Sequence, residues 1–130
     1  IKLAHKVKAN GVYVPSFNKT KQYSNSEKKN LIIIGSAHNQ KEIHIKVKQN
    51  CEVIFLSPLF FVKKSKTFLG LHRFNYLSNV NKVSVIPLGG ITKSNIRKLK
   101  LLSVQGFAGI HLFKKKPASK RPVYIKNNFF

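Results

Sequence analysis

The chain has 130 residues, with 25 Lys or Arg against three acids and a formal net charge of +22. The acids are all Glu (Glu27, Glu42, Glu52), so a glycosidase-type carboxylate pair or an acidic Mg²⁺ cage is hard to assemble. A single cysteine, Cys51, excludes an intrachain disulfide framework and a multi-Cys zinc site. This length predicts one domain over 1–130, closing in a basic and aromatic tail over 117–130.

In chain order, the first ten residues are lysine-rich and lack the long apolar core of a signal peptide. Short apolar runs then recur at Gly11–Val14, Leu31–Ile34, Val53–Leu56, Val83–Ile86 and Phe107–Phe113. Three are nearly continuous and rich in β-branched residues, as in strands buried on both faces of a parallel sheet. Their starts lie about 20 to 30 residues apart, the spacing of a βαβ crossover.

Between the runs, Ile43, Ile45 and Val47 alternate with polar residues in a strand-like period. Asn39 can cap a helix there, Glu42 completes a capping-box pattern, and the place between two strands favours helix. Leu69–Leu77 is a shorter helical segment. Ile91–Leu102 carries the clearest helical periodicity, with Thr92 or Ser94 as its cap. The fold class predicted is α/β, a partial (β/α)8 TIM-barrel-like unit of about five βα repeats with parallel strands. A five-unit half leaves two open sheet edges and apolar inner faces, so self-association or a longer chain is expected. The start at Ile1 and the absence of Met point to a processed chain or a piece of a longer one.

Ligands of parallel α/β folds sit at the carboxyl ends of the strands. The loops there are Pro15–Asn18, Gly35–Asn39, Ser57–Lys66, Leu88–Thr92 and Phe113–Lys116. Gly89 and Gly90 can bring backbone N–H groups close to an oxyanion at the start of the following helix. They can equally serve a tight turn. Lys63, Lys64, Lys66 and Lys114 add positive charge and tilt the reading toward phosphate. His38 follows a strand and a serine, but no Asp is present to orient a Ser/His pair, so it reads as a loop-holding residue. His111 alternates toward the interior of its strand, where it can contact a ligand. His5, His44 and His72 read as surface positions, and Cys51 as a small core residue.

Five motifs occur in order: Gly11-Val12-Tyr13-Val14-Pro15, Ser36-Ala37-His38-Asn39, Leu56-Ser57-Pro58-Leu59-Phe60, Ile86-Pro87-Leu88-Gly89-Gly90-Ile91 and Gly106-Phe107-Ala108-Gly109-Ile110. Together they resemble the thiamine-phosphate synthase/TenI family of (β/α)8 barrels, covering strands four to eight and lacking the first three βα units. The resemblance implies a transferase of thiamine biosynthesis. Such an enzyme joins hydroxymethylpyrimidine diphosphate to thiazole phosphate, giving thiamine phosphate and pyrophosphate. It places pyrophosphate on Ser36 and a lysine among Lys63, Lys64 and Lys66, and the thiazole phosphate on Gly89, Gly90 and the neighbouring Lys114. It implies Mg²⁺, with Asn18 at or near a position where the family has Asp.

The chain departs from that pattern in several places. It has no Asp at all, Val62 stands where a threonine is expected, and Lys114 replaces a serine. No histidine lies near Pro58, which argues against the TenI-like tautomerase branch. Two other readings remain: a degenerate barrel that binds phosphorylated ligands without catalysis, and a basic nucleic-acid-binding module. Lysine outnumbers arginine 22 to 3, which fits a solvated lysine-rich surface better than a groove reader built on Arg forks. Phosphorylated pyrimidine and thiazole molecules are the partners that the resemblance implies. No apolar run reaches membrane-spanning length, and a cytoplasmic protein is the expectation.

Overall fold

The computed structural model describes residues 1–110, residue 112 and residues 124–127. The elements are α1 (Lys2–Lys6), β1 (Gly11–Val14), α2 (Asn25–Lys28), β2 (Ile32–Ala37), α3 (Gln40–Lys48), β3 (Val53–Leu56), α4 (Gly70–Val80), β4 (Ser84–Pro87), a 3₁₀ helix (Ile96–Leu101), β5 (Gly106–Gly109) and β6 (Tyr124–Asn127). Strands β1 to β4 form one parallel sheet in sequence order. Leu88 just beyond β4 makes a parallel bridge to Ala108, so β5 follows as the fifth strand of the curve.

The register explains the apolar pattern. Tyr13, Ile34, Val53 and Ser84 form one cross-strand row, and Ser36, Phe55 and Ile86 form the next on the same face. That inner face holds Phe55, Ile86 and Ala108, with Ile34, Val53 and Leu88 packed against them. The alternate residues, among them Ile33, Ile54, Leu56 and Val85, pack outward against Ile43, Phe74, Leu77 and Leu99. Both faces of the sheet are apolar; helices cover the outer one, while the inner one packs only on its own strands, as in an open barrel segment. The inner face is least covered at Tyr13 and Ile32, about half exposed at 56% and 47%.

The ambiguous segment is a helix. The Asn39 side chain accepts the Glu42 N–H at 3.0 Å and starts α3, which buries Ile43 and Lys46. Glu42 bonds back not to Asn39 but to the N–H of His38, one residue earlier. Helix α4 runs three residues past the expected Leu77 and buries Phe74 and Leu77.

The expectation of an α-helix over Ile91–Leu102 is corrected. Asn95 accepts the Thr92 N–H and donates to the Gly90 carbonyl, both at 2.8 Å. This side chain closes a turn in place of the first helical turn, so only a 3₁₀ helix from Ile96 follows. Neither Thr92 nor Ser94 caps it.

Strand β5 ends at Gly109, short of the expected Phe113, and His111, Phe113 and Lys114 lie outside the described residues. One of the two expected open edges is occupied: β6 pairs antiparallel with β5. Among the described residues β1 has no strand on its outer side. None of the described helices is long and apolar enough to cross a membrane.

Cys51 is buried beneath Gly35, and burial pushes its thiol up to about 11. The thiolate is the reactive form. Native protein at neutral pH is expected to resist iodoacetamide, with one cysteine labelled only after denaturation. Fast labelling of the folded chain would contradict this packing.

Candidate functional site

Because β1 to β4 run parallel, their carboxyl ends open on one edge, and the loops beyond them share it. Ser36 sits near the end of β2, buried, on the inner face. The Tyr13 hydroxyl reaches across from β1 and donates to Ser36 Oγ at 2.9 Å. A serine hydroxyl has one hydrogen to donate and two lone pairs. With Tyr13 on a lone pair, the Ser36 hydrogen remains available for an anion.

The β3 and β4 loops are joined to one another. Leu59 N–H donates to Leu88 O at 2.9 Å, and Phe60 N–H to Gly89 O at 3.1 Å. Gly89 and Gly90 have φ of +96° and +72°, and a Cβ on Gly90 would lie 2.5 Å from Phe60 O and 2.6 Å from Phe61 O. Two requirements therefore select glycine here, left-handed backbone and close approach of a neighbouring main chain. This contact brings the lysine-bearing loop against the glycine loop. Lys63, Lys64 and Lys66 lie exposed just beyond it and form no ion pair among the described residues. Ser36 is two strands from the glycine loop, about 10 Å across the sheet.

One part of the expected anion site is corrected. The helix start expected directly after Gly90 is displaced to Ile96, so no helix terminus adjoins the glycines.

Asn18 faces away from a metal role. Its carbonyl accepts from Lys46 Nζ at 2.7 Å and from Gln49 Nε2 at 3.1 Å, and its Oδ1 lies 3.5 Å from the same Gln49 nitrogen. These oxygens are turned to protein donors. No group of three His, Cys, Asp or Glu side chains gathers among the described residues. The donors among the described residues do not fit a Mg²⁺ site.

His38 has an orienting acid after all, and it is Glu42. The ring nitrogen Nδ1 and the backbone N–H of His38 each lie 2.9 Å from Glu42 Oε2. Burial alone would raise the Glu42 carboxyl; these two bonds outweigh it and hold it below the usual range. Ser36 bonds to Tyr13 rather than to His38, so no Ser/His pair forms. His5, His44 and His72 are exposed, as expected.

Sequence reasoning missed Tyr13 as a partner of Ser36, and it missed Lys46. The first needs the register of β1 on β2, which alternation within a single strand does not supply. Helical spacing gives the second, because Lys46 lies three residues from the core Ile43.

A parallel sheet with helices on its outer face, an apolar inner face and its loops gathered at one edge defines a segment of a (β/α) barrel. The family follows from comparison. The Thiamine monophosphate synthase family profile matches residues 1–113, and the chain belongs to that family. The thiamine-phosphate synthase of Methanococcus vannielii is 28% identical over 112 residues, covering 82% of this chain and 52% of that protein. The thiamine-phosphate synthase of Prochlorococcus marinus strain SARG is 34% identical over 83 residues, covering 61% of this chain and 24% of that protein. The solved thiamine phosphate pyrophosphorylase of Pyrococcus furiosus shares the fold, with a TM-score of 0.64 at 23% identity over 84% of this chain and 52% of its own. The chain thus spans about half the length of the Methanococcus and Pyrococcus proteins.

Gly90→Ala is expected to cost about 2 kcal/mol or more, since the new Cβ meets backbone and φ is positive. Urea unfolding of the variant checks this; an unchanged midpoint would show that the two loops part readily.

Proposed function

We propose that this chain carries the phosphate-binding half of a thiamine-phosphate synthase site and takes part in forming thiamine phosphate. The observation that carries the reading is the junction of the Phe60–Phe61 and Gly89–Gly90 loops. It sets three exposed lysines beside a glycine turn on the same edge as Ser36. The family match supports it.

In the reaction, the bond between the pyrimidine methylene carbon and the diphosphate oxygen breaks, and pyrophosphate leaves with the electron pair. The thiazole nitrogen then forms the new carbon–nitrogen bond with its lone pair. The protein stabilises the negative charge that develops on the leaving group and aligns the two rings. Here Ser36 donates its hydrogen to pyrophosphate, and Lys63, Lys64 or Lys66 supplies positive charge. Gly89 and Gly90, with Lys114, serve the thiazole phosphate. No step is assigned to a metal. A cytoplasmic setting is part of the reading, because both substrates are phosphorylated.

One observation favours a second reading. The Asn18 oxygens are committed to Lys46 and Gln49, in a chain without Asp, and this suits binding of phosphorylated ligands without turnover.

The test is thiamine phosphate formation from both substrates, with and without Mg²⁺, beside calorimetric binding of inorganic pyrophosphate. Ser36→Ala and a Lys63, Lys64, Lys66→Gln triple variant are the controls. Gly90 is unsuitable as one, because its substitution strikes the backbone of the adjoining loop. Product from the native chain, lost in both variants, is the expected result. Pyrophosphate binding without product would establish the second reading, and absence of binding by folded protein would remove both. Tyr13→Phe is expected to weaken pyrophosphate binding about fivefold, the ~1 kcal/mol of one hydrogen bond. Unchanged affinity would show that Tyr13 does not tune Ser36.

A further inference from the structure

Lys46 is fully buried, with 0% of its surface exposed. Its Nζ donates to Pro15 O at 2.7 Å, Asn18 O at 2.7 Å and Gln49 Oε1 at 2.9 Å. An ammonium has three protons to donate, and all three are used. None of the acceptors is a carboxylate. A unit charge is held inside the protein by two backbone carbonyls and one amide oxygen, the kind of neutral oxygen set that solvates a bare cation.

An apolar side chain of similar volume would fill this space without the desolvation penalty, so burial alone does not call for an ammonium. What the charge adds is geometry. It ties α3 to two carbonyls three residues apart in the loop leaving β1. Val14, the last residue of β1, pairs with Gly35, and Ser36 follows Gly35 directly. The tied loop therefore begins beside the end of β2 that carries Ser36. Gly35 makes the route possible. A Cβ there would lie 2.9 Å from both Lys46 Cδ and Cys51 Sγ, so the lysine stem crosses β2 where the strand has no side chain.

We propose that Lys46 is a tethered cation in the place of a bound ion, a positioning residue that holds the Pro15–Asn18 loop and with it the flank of Ser36. The link to ligand rests on the reading of Ser36 as an anion-binding hydroxyl.

The test compares the native chain with Lys46→Ala and Lys46→Met. It reads thermal unfolding and affinity for inorganic pyrophosphate in ammonium, potassium or choline chloride at equal ionic strength. Lys46→Ala opens the oxygen cage to solvent. Its pyrophosphate affinity is expected to fall about tenfold and its unfolding midpoint to drop. Both should recover in ammonium or potassium, but not in choline, whose cation is too large to enter. Lys46→Met refills the volume without charge and should stay impaired in every salt.

Equal behaviour of Lys46→Ala in ammonium and choline overturns the proposal, and so does native affinity in Lys46→Met. Should Lys46→Ala fold in no salt, the native chain decides. Its ¹⁵N spectrum is expected to show one slowly exchanging lysine ammonium, and the absence of that signal overturns the proposal. If the native chain binds no pyrophosphate, ammonium rescue of the unfolding midpoint alone carries the result. That outcome would sink the Ser36 reading and leave the tethered cation standing.

Discussion

Parallel pairing of β1 to β4 is the constraint on which the other features depend. Parallel strands need crossovers, and crossovers cover the outer face, so the strands become apolar on both sides. They also deliver every following loop to the same edge. Residues far apart in sequence, Tyr13, Ser36, Phe60 and Gly90, are gathered at one end of the sheet for that reason alone. The local chemistry then works on a frame already set.

Main-chain contact dominates at that edge. The β3 and β4 loops meet backbone to backbone, with glycine admitting the approach, and the cations ride on the outer part of the junction. The β1 loop is held differently, from below, by one ammonium reaching through the gap at Gly35. Burial pulls the pKa of Lys46 below the ordinary lysine range. The three oxygens work in the opposite sense, favouring the charged form. The loops after β1, β3 and β4 thus owe their positions to glycines that let something else come close.

The five parallel strands were legible because the apolar runs are short and lie a crossover's length apart; β6, within the expected tail, was not. Two of the five, Gly11–Val14 and Val53–Leu56, match their strands residue for residue. Helix α3 was legible through its Asn39 cap, against an alternating pattern that reads as strand. The segment after Gly90 was misread for a related cause. Its periodicity is helical, but Asn95 captures two main-chain groups and spends the first turn on itself. Periodicity scores faces and does not score a side chain that competes with the backbone. At the candidate site, the loops could be listed in advance from topology, whereas pairings across strands could not. Tyr13 with Ser36 and Lys46 with Asn18 are contacts 23 and 28 residues apart. The lysine was hidden further by composition, since one buried lysine looks like any of the 22 in the chain.

The strand on the far side of β5 has a steric corollary. A strand has two hydrogen-bonding edges; on β5 one meets Leu88 and the other meets β6. Both are filled, and β6 runs against the direction of its neighbours. Any additional parallel strand arriving at that side must first evict β6, hydrogen bond by hydrogen bond. Among the described residues no strand lies along the outer edge of β1, and there the sheet can be extended without such an exchange.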